Sequence, residues 1–338
     1  MEKNKFKNIV VFTAAGIGDF VWATSAISLI KQFDKSISIT LIMCEDYISL
    51  VDKSLQIDKI VTLKRKYHSV ETNPVLRYIY KFFWSIKNFK CFYKKEVCIM
   101  LDSSSFFSLL ARKIFNIRKT VNLKLKNLHT MIKYQLTIRS VLPTYNLAIP
   151  VLPNTDHLRN KIKQKFLQNT KKYKIALCTK STMKFRDWDI KYFDELIKKT
   201  DKYNDFTFYI VGNSKEEIQN SKILIDNNKN VDIRSLCGKT SLLEIKEFLS
   251  NMDLIVSVDT GIVHLAAVSN IPTISFYGVS LPIKSGGINP KFVAMSSNED
   301  CSPCDEKYYD NTLSCKYAKC LYNITPDIVF NKIKEILL

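Results

Sequence analysis

The stretch "NIVVFTAAGIGDFVWATSAISLIKQF", residues 8–33, decides the architecture. Asn8 to Phe12 is a β-branched, apolar run of strand length, and Asp19 to Phe33 has helical length and spacing. Between them, Gly16 and Gly18 fill the first two places of the G-x-G-x-x-G turn. In a dinucleotide-binding βα unit that turn seats the pyrophosphate on the amides of a helix start. Val21 stands at the third place, and Asp19 puts a carboxylate where phosphate would lie. A carboxylate there repels phosphate, which argues against an NAD-dependent dehydrogenase.

The same alternation recurs outward from this stretch. Ser38 to Met43, Lys59 to Leu63 and Glu96 to Leu101 read as strands, and Pro74 to Phe92 as a helix. "VLPTYNLAIPVLPNT", residues 141–155, has three prolines and no period, and is the best linker candidate. Strands then follow at Lys174 to Cys178, Phe206 to Val211, Val231 to Arg234, Asp253 to Val258, Thr273 to Phe276 and Phe292 to Met295. Helices are expected at Ile190 to Lys199, Glu216 to Ile225, after an N-cap at Thr240, and at Pro326 to Leu338. Two doubly wound α/β units with parallel sheets are expected in tandem, residues 1–153 and 154–338, with the ligand site in a cleft between them.

Composition narrows the classes. The 338 residues are 46% hydrophobic and 25% charged, values of a folded globular chain. A net charge of +19 makes a field that draws in nucleic acid, anionic lipid or nucleotide diphosphates, although a lysine-rich surface also simply solvates a protein. No apolar stretch reaches the roughly 20 residues needed to cross a bilayer. Residues 1–8 have no hydrophobic signal core, so the expected location is cytoplasmic. Nine scattered cysteines point to reduced thiols rather than a disulfide framework.

Three further stretches carry chemistry. In "DLIVSVDTGIVHLAAVSNIPTISFYG", residues 253–278, a buried strand ends at Asp259, and Thr260 and Gly261 open an apolar helix whose amides would seat a diphosphate. Asp259 is expected to cap that helix and orient its loop, and His264, one turn in, reads as a structural histidine or a ligand contact. In "CTKSTMKFRDWDIKYFDELI", residues 178–197, Ser181 and Thr182 can donate to phosphate oxygens while Lys184 and Arg186 neutralise a leaving group; the alternative is a solvated loop. "FYIVGNSKEE" places Gly212 at a strand end and Glu216 just inside a helix, suited to a ribose hydroxyl or to the helix dipole.

Taken together, "GIGDFVWATSAI", "KTSLLEIKEFLSNMDLIVSVDTGIVHLAA" and "IPTISFYG" resemble the family 9 glycosyltransferases, the ADP-heptose lipopolysaccharide heptosyltransferases and their relatives. The resemblance covers nearly the whole chain. It implies a GT-B architecture, two Rossmann-like domains facing a central cleft, with the acceptor on the N-terminal domain and the nucleotide sugar on the C-terminal one. Asp19 matches the family's proposed catalytic base, with Gly16 and Gly18 on the acceptor-side loop. Ser181, Thr182, Lys184, Arg186, Gly212, Glu216, Asp259, Thr260, Gly261 and His264 fall on the donor side. Inverting transfer of heptose from ADP-heptose to a lipopolysaccharide-core or other surface glycan acceptor is implied, with no catalytic metal and no cofactor. Two departures bear on the donor sugar: the family's basic-aromatic-proline stretch appears as Arg186-Asp187-Trp188-Asp189, without the proline and with an extra acid beside the cation, and Ile262 stands where proline commonly follows D-T-G.

Near the end, Cys301, Cys304, Cys315 and Cys320 are spaced C-x2-C-x10-C-x4-C. Both pairs fit a closed structural zinc site, the alternative being packed or redox-sensitive thiols. The aromatic and basic run at residues 76–95 could lie against the anionic inner face of a membrane or pack as a core helix. A GT-B sugar-nucleotide epimerase and a basic nucleic-acid-binding protein are the competing functions. The second lacks any recognition signature, so no specific nucleic acid is expected.

Overall fold

The computed structural model describes residues 6–64, 73–93, 95–102, 117–123, 125, 128–297, 299–304 and 319–338. The chain forms two compact units, Met1–Asn154 and Thr155–Leu338.

The first unit holds a parallel sheet of β1 (Asn8–Thr13), β2 (Ser38–Cys44), β3 (Lys59–Leu63), β4 (Val97–Met100) and β5 (Lys119–Val121), in the order β3-β2-β1-β4-β5. Phe12 pairs with Ile42 on one side and with Met100 on the other. Because helices cover a parallel sheet on both faces, β1 is an unbroken apolar run, buried from Ile9 to Phe12. β5 has three residues, too few for a period, and the sequence does not announce it.

Helix α1 (Ile17–Phe33) buries residues all round its surface, Phe20, Trp22 and Ile27 among them. A later helix of the unit, Thr130–Arg139, packs on it, with Tyr134 and Ile138 buried. The proline-rich stretch is held by this pair rather than free: Gln135 donates to the Ala148 carbonyl, and Val151 N–H donates to Thr24 Oγ1. Helix α2 (Pro74–Lys87) settles neither earlier alternative alone. Trp84 packs with Phe92 in the core, while Val75, Leu76, Ile79, Phe82, Phe83 and Ile86 are exposed. The Thr130–Arg139 helix is α3.

The second unit repeats the plan with one more strand: β6 (Tyr173–Cys178), β7 (Phe206–Val211), β8 (Asp232–Ser235), β9 (Leu254–Val258), β10 (Thr273–Tyr277) and β11 (Phe292–Ser296), ordered β11-β10-β9-β6-β7-β8. Its longer helices are α4 (Arg159–Phe166), α5 (Ile190–Thr200), α6 (Lys215–Asn227), α7 (Leu242–Leu249), α8 (Gly261–Val268) and α9 (Pro326–Leu337). Their starts are written locally. Asp189 caps α5 through Lys191 N–H, and Thr325 caps α9. The cap of α7 is Ser241, not Thr240: its hydroxyl accepts from Glu244 N–H, and the Glu244 carboxylate accepts from Ser241 N–H. Each such cap contributes about 1 kcal/mol.

In each unit the strand order reverses at the first strand, which lies between the second and the fourth. The crevices outside the carboxyl ends of β1 and β4, and of β6 and β9, are where an open α/β sheet binds ligands.

Candidate active site

At the first reversal, the turn Ala14-Ala15-Gly16 has no polar side chain of its own. Its three successive amides point into two carboxylates. Ala14 and Ala15 both donate to Asp102 Oδ2 at 2.6 Å, and Gly16 donates to Asp19 Oδ2 at 3.2 Å. Here lies the structural reason that the glycine turn is no pyrophosphate seat: the donors that would bind an anion already serve protein carboxylates. Asp19 sits in the first turn of α1, partly exposed, and its Oδ1 accepts from the Tyr134 hydroxyl at 3.1 Å. Burial, and then the negative charge of Asp19, push Asp102 up to about 7 against the pull of the two amides. Burial also holds the Tyr134 phenol well above its usual range, aided by both carboxylates, so Tyr134 stays a neutral donor.

Neither Asp102 nor Tyr134 was singled out in the sequence. The signal for Asp102 was available: "EVCIMLD" ends an apolar strand in aspartate just as "LIVSVD" does at Asp259. Tyr134 lies on a helix with a weak apolar pattern and gave none.

At the second reversal the same strand-end aspartate meets the opposite surroundings. Asp259 is buried and its Oδ2 lies 3.1 Å from Arg186 Nη1, with the Ser280 hydroxyl donating to the same oxygen. It therefore does not cap α8 as expected: Thr260 is the N-cap residue and makes no side-chain cap bond. Ser181 Oγ donates to the Asp259 carbonyl at 2.9 Å, and Ser181 N–H donates to Asp187 Oδ1 at 2.8 Å. Asp187, the extra acid beside the expected cation, also pairs with Lys180 at 2.5 Å. These contacts gather Ser181, Arg186, Asp259 and the start of α8. Thr182 is exposed, and the Lys184 side chain lies outside the described residues.

Farther along the sheet, Gly212 follows β7, where a Cβ would come within 2.2 Å of Glu217. Glu217, not Glu216, turns back to accept from Asn213 and Ser214 amides at 2.7 Å each, and with the N-cap Ser214, whose hydroxyl accepts from Glu217 N–H, it closes the capping box of α6. Glu216 stays exposed in the first turn of α6, with its carboxylate uncommitted to that cap. His264 is buried within α8.

Residues 117–313 match the sequence profile of glycosyltransferase family 9 (heptosyltransferase), more than half of the chain. The chain belongs to glycosyltransferase family 9. It is 26% identical over 153 residues to lipooligosaccharide heptosyltransferase 2 of Campylobacter jejuni, an alignment covering 44% of this chain and 46% of that protein. The matched part thus spans less than half the length of this curated relative. In structure it resembles E. coli ADP-heptose lps heptosyltransferase II at a TM-score of 0.71 and 15% identity, over 98% of both chains. It also resembles an E. coli heptosyltransferase solved with ADP-2-deoxy-2-fluoro heptose, at a TM-score of 0.64 and 14% identity, over 97% and 99% of the two chains. At such identities the likeness is one of fold, and the fold is GT-B.

Membership of family 9 sets aside the epimerase and nucleic-acid-binding readings. The four-cysteine zinc reading meets a different outcome. Cys315 lies outside the described residues, Cys301 is exposed, and Cys320 is buried in the second core, where a Cβ on Gly278 would lie 2.3 Å from its sulfur. Among the described residues no group of three or more His, Cys, Asp or Glu could hold a metal ion. No helix among them is long and apolar enough to cross a membrane.

Proposed function

We propose that this family 9 chain is an inverting glycosyltransferase that moves heptose from ADP-heptose to a lipopolysaccharide-core or related surface glycan acceptor. The observation that carries the reading is the carboxylate pair at the first reversal, a site fit to take a proton and unfit to receive a diphosphate. The unit Met1–Asn154 takes the acceptor, and Thr155–Leu338 takes the nucleotide sugar. Asp19 accepts the proton of an acceptor hydroxyl while that oxygen bonds to the anomeric carbon. The bond from that carbon to the diphosphate breaks on the opposite face, and the nucleoside diphosphate leaves with the electron pair.

The charge that develops on the leaving group falls to Ser181, Thr182, Lys184 and Arg186, and to the Thr260-Gly261 start of α8, where amides and helix dipole favour an anion. Gly212 and Glu216 serve the nucleoside, and His264 shapes the α8 side of the site. This assigns neutralisation to the protein rather than to a divalent cation, so transfer that persists in EDTA is the expected result. The ADP-sugar assignment draws support from the E. coli heptosyltransferase solved with an ADP-heptose analogue.

We further place the work on the cytoplasmic side of an anionic inner membrane. The exposed apolar stripe of α2 supports this: no acidic residue occurs from Asn73 to Lys95, and Lys87 and Lys90 are exposed beside it. The direct test is transfer of labelled heptose to a heptose-deficient core glycolipid, alongside a thermal-shift comparison of ADP, UDP and GDP sugars. A ligand at a hundred times its dissociation constant adds about 2.7 kcal/mol. Stabilisation by UDP or GDP sugars and none by ADP-heptose would defeat the donor assignment.

A further inference from the structure

We propose that Asp102 is a positioning residue for Asp19: from the end of β4 it pins the turn that launches α1, and as a second acid beside Asp19 it governs when Asp19 takes up a proton. The inference rests on the reading of Asp19 as base. The turn Ala14-Ala15-Gly16 cannot hold itself, since none of its side chains is polar, and both of its leading amides converge on one oxygen, Asp102 Oδ2. Without that acceptor two amides at the start of α1 lose their partner, and the helix start that carries Asp19 loses its tie to β4. Displacement of a reacting group by about 1 Å costs on the order of a hundredfold in rate.

A tie alone would not need an acid. The other oxygen, Asp102 Oδ1, is buried and has no hydrogen-bond partner among the described residues, a place where a proton is favoured over a charge. Among the described residues, the groups facing the pair are the turn amides on one side and the neutral Tyr134 hydroxyl from α3 on the other. Asp102 therefore holds a proton up to about pH 7, in agreement with its raised pKa. Above that it ionises, and a second negative charge next to Asp19 favours the moment at which Asp19 receives the hydroxyl proton. The negative charge of Asp19 in turn favours the proton on Asp102.

Two variants separate the tie from the charge. Asp102→Asn keeps an oxygen that accepts from the amides but cannot ionise, whereas Asp102→Ala removes both. The expected result is that kcat of the wild type rises through about pH 7, while Asp102→Asn shows no rise and is roughly tenfold slower at high pH, with KM for the nucleotide sugar unchanged. Asp102→Ala falls by on the order of a hundredfold at every pH. A wild-type pH profile in Asp102→Asn, or wild-type kcat in Asp102→Ala, overturns the proposal.

A readout without substrate keeps the proposal apart from the base assignment. Infrared carboxyl titration of the ligand-free protein is expected to show a band that protonates near pH 7, absent in Asp102→Asn and moved to lower pH in Asp19→Asn. If that coupling appears while Asp19→Asn transfers sugar normally, the base reading fails and the coupled pair stands. If Asp19→Asn leaves the band unmoved, the proposal itself fails.

Discussion

The two strand-order reversals share a plan and differ in charge. Each has an apolar central strand followed by an aspartate, the half-buried Asp102 after β4 and the buried Asp259 after β9. Asp259 meets Arg186 and Ser280, so its negative charge is neutralised where it stands. Asp102 meets two amides and a second carboxylate, and burial drives it toward its protonated form. One topology thus builds a place that parts with protons reluctantly and another that holds a guanidinium beside a helix start. Topology sets where a ligand goes, and the neighbouring charge sets what chemistry meets it.

The largest expected effect breaks the comparison at its acidic end. Asp19→Asn should lower kcat by about 10²- to 10⁴-fold, the usual range for a lost general base, and leave ADP affinity by calorimetry unchanged. Near-normal transfer would mean that the first reversal does no proton chemistry. At the other reversal, Arg186→Met strands the buried Asp259 charge and should cost on the order of 3–5 kcal/mol in urea unfolding. A loss below about 1 kcal/mol would show that Ser280 and the loop suffice, and that the two aspartates differ less than their surroundings indicate.

A smaller effect is a pH dependence of stability in which the two reversals part. Asp102 binds its proton more tightly folded, near pH 7, than unfolded, near its ordinary 3.8. The folded state therefore carries more protons between those values, and stability from this group is present in full below about pH 4 and is lost as pH rises through 7. The total is a few kcal/mol in order of magnitude. Thermal melts of Asp102→Asn should lack that fall; a fall that persists must come from other groups.

Smallest is the surface effect. Ile79→Glu with Phe83→Glu should leave the melting temperature in place, since both side chains are exposed, and should reduce co-sedimentation with anionic vesicles roughly tenfold. Binding of the unmodified protein should weaken with salt. Equal binding of the double variant would remove α2 as the membrane face.

Legibility followed the range of the interactions. The run of β1, the start of α1 with Asp19 and the strand end at Asp259 were all readable, because each is written within one or two turns of chain. The cap of α7 was misplaced by one residue, since Thr240 and Ser241 both have the chemistry and backbone geometry chooses between them. Glu216 and Glu217 posed the same choice: Glu217 folds back over Gly212, and Glu216 is left outward. The stretch at residues 141–155 looked like a free linker because prolines remove periodicity. Its anchoring by Thr24 and Gln135 depends on helices far away in sequence.

By itself the sequence determined the parallel α/β units, the positions of the chemically active strand ends and the family, since hydrophobic period, caps and contiguous motifs are local properties. Only the tertiary structure decided that Asp102 and Tyr134 stand beside Asp19, and that Arg186 neutralises Asp259. The physical reason is strand order: a parallel sheet brings β4 next to β1 through a crossover. Which side chains then meet, and what charge each feels, is settled by that placement and by burial rather than by any neighbour in the chain.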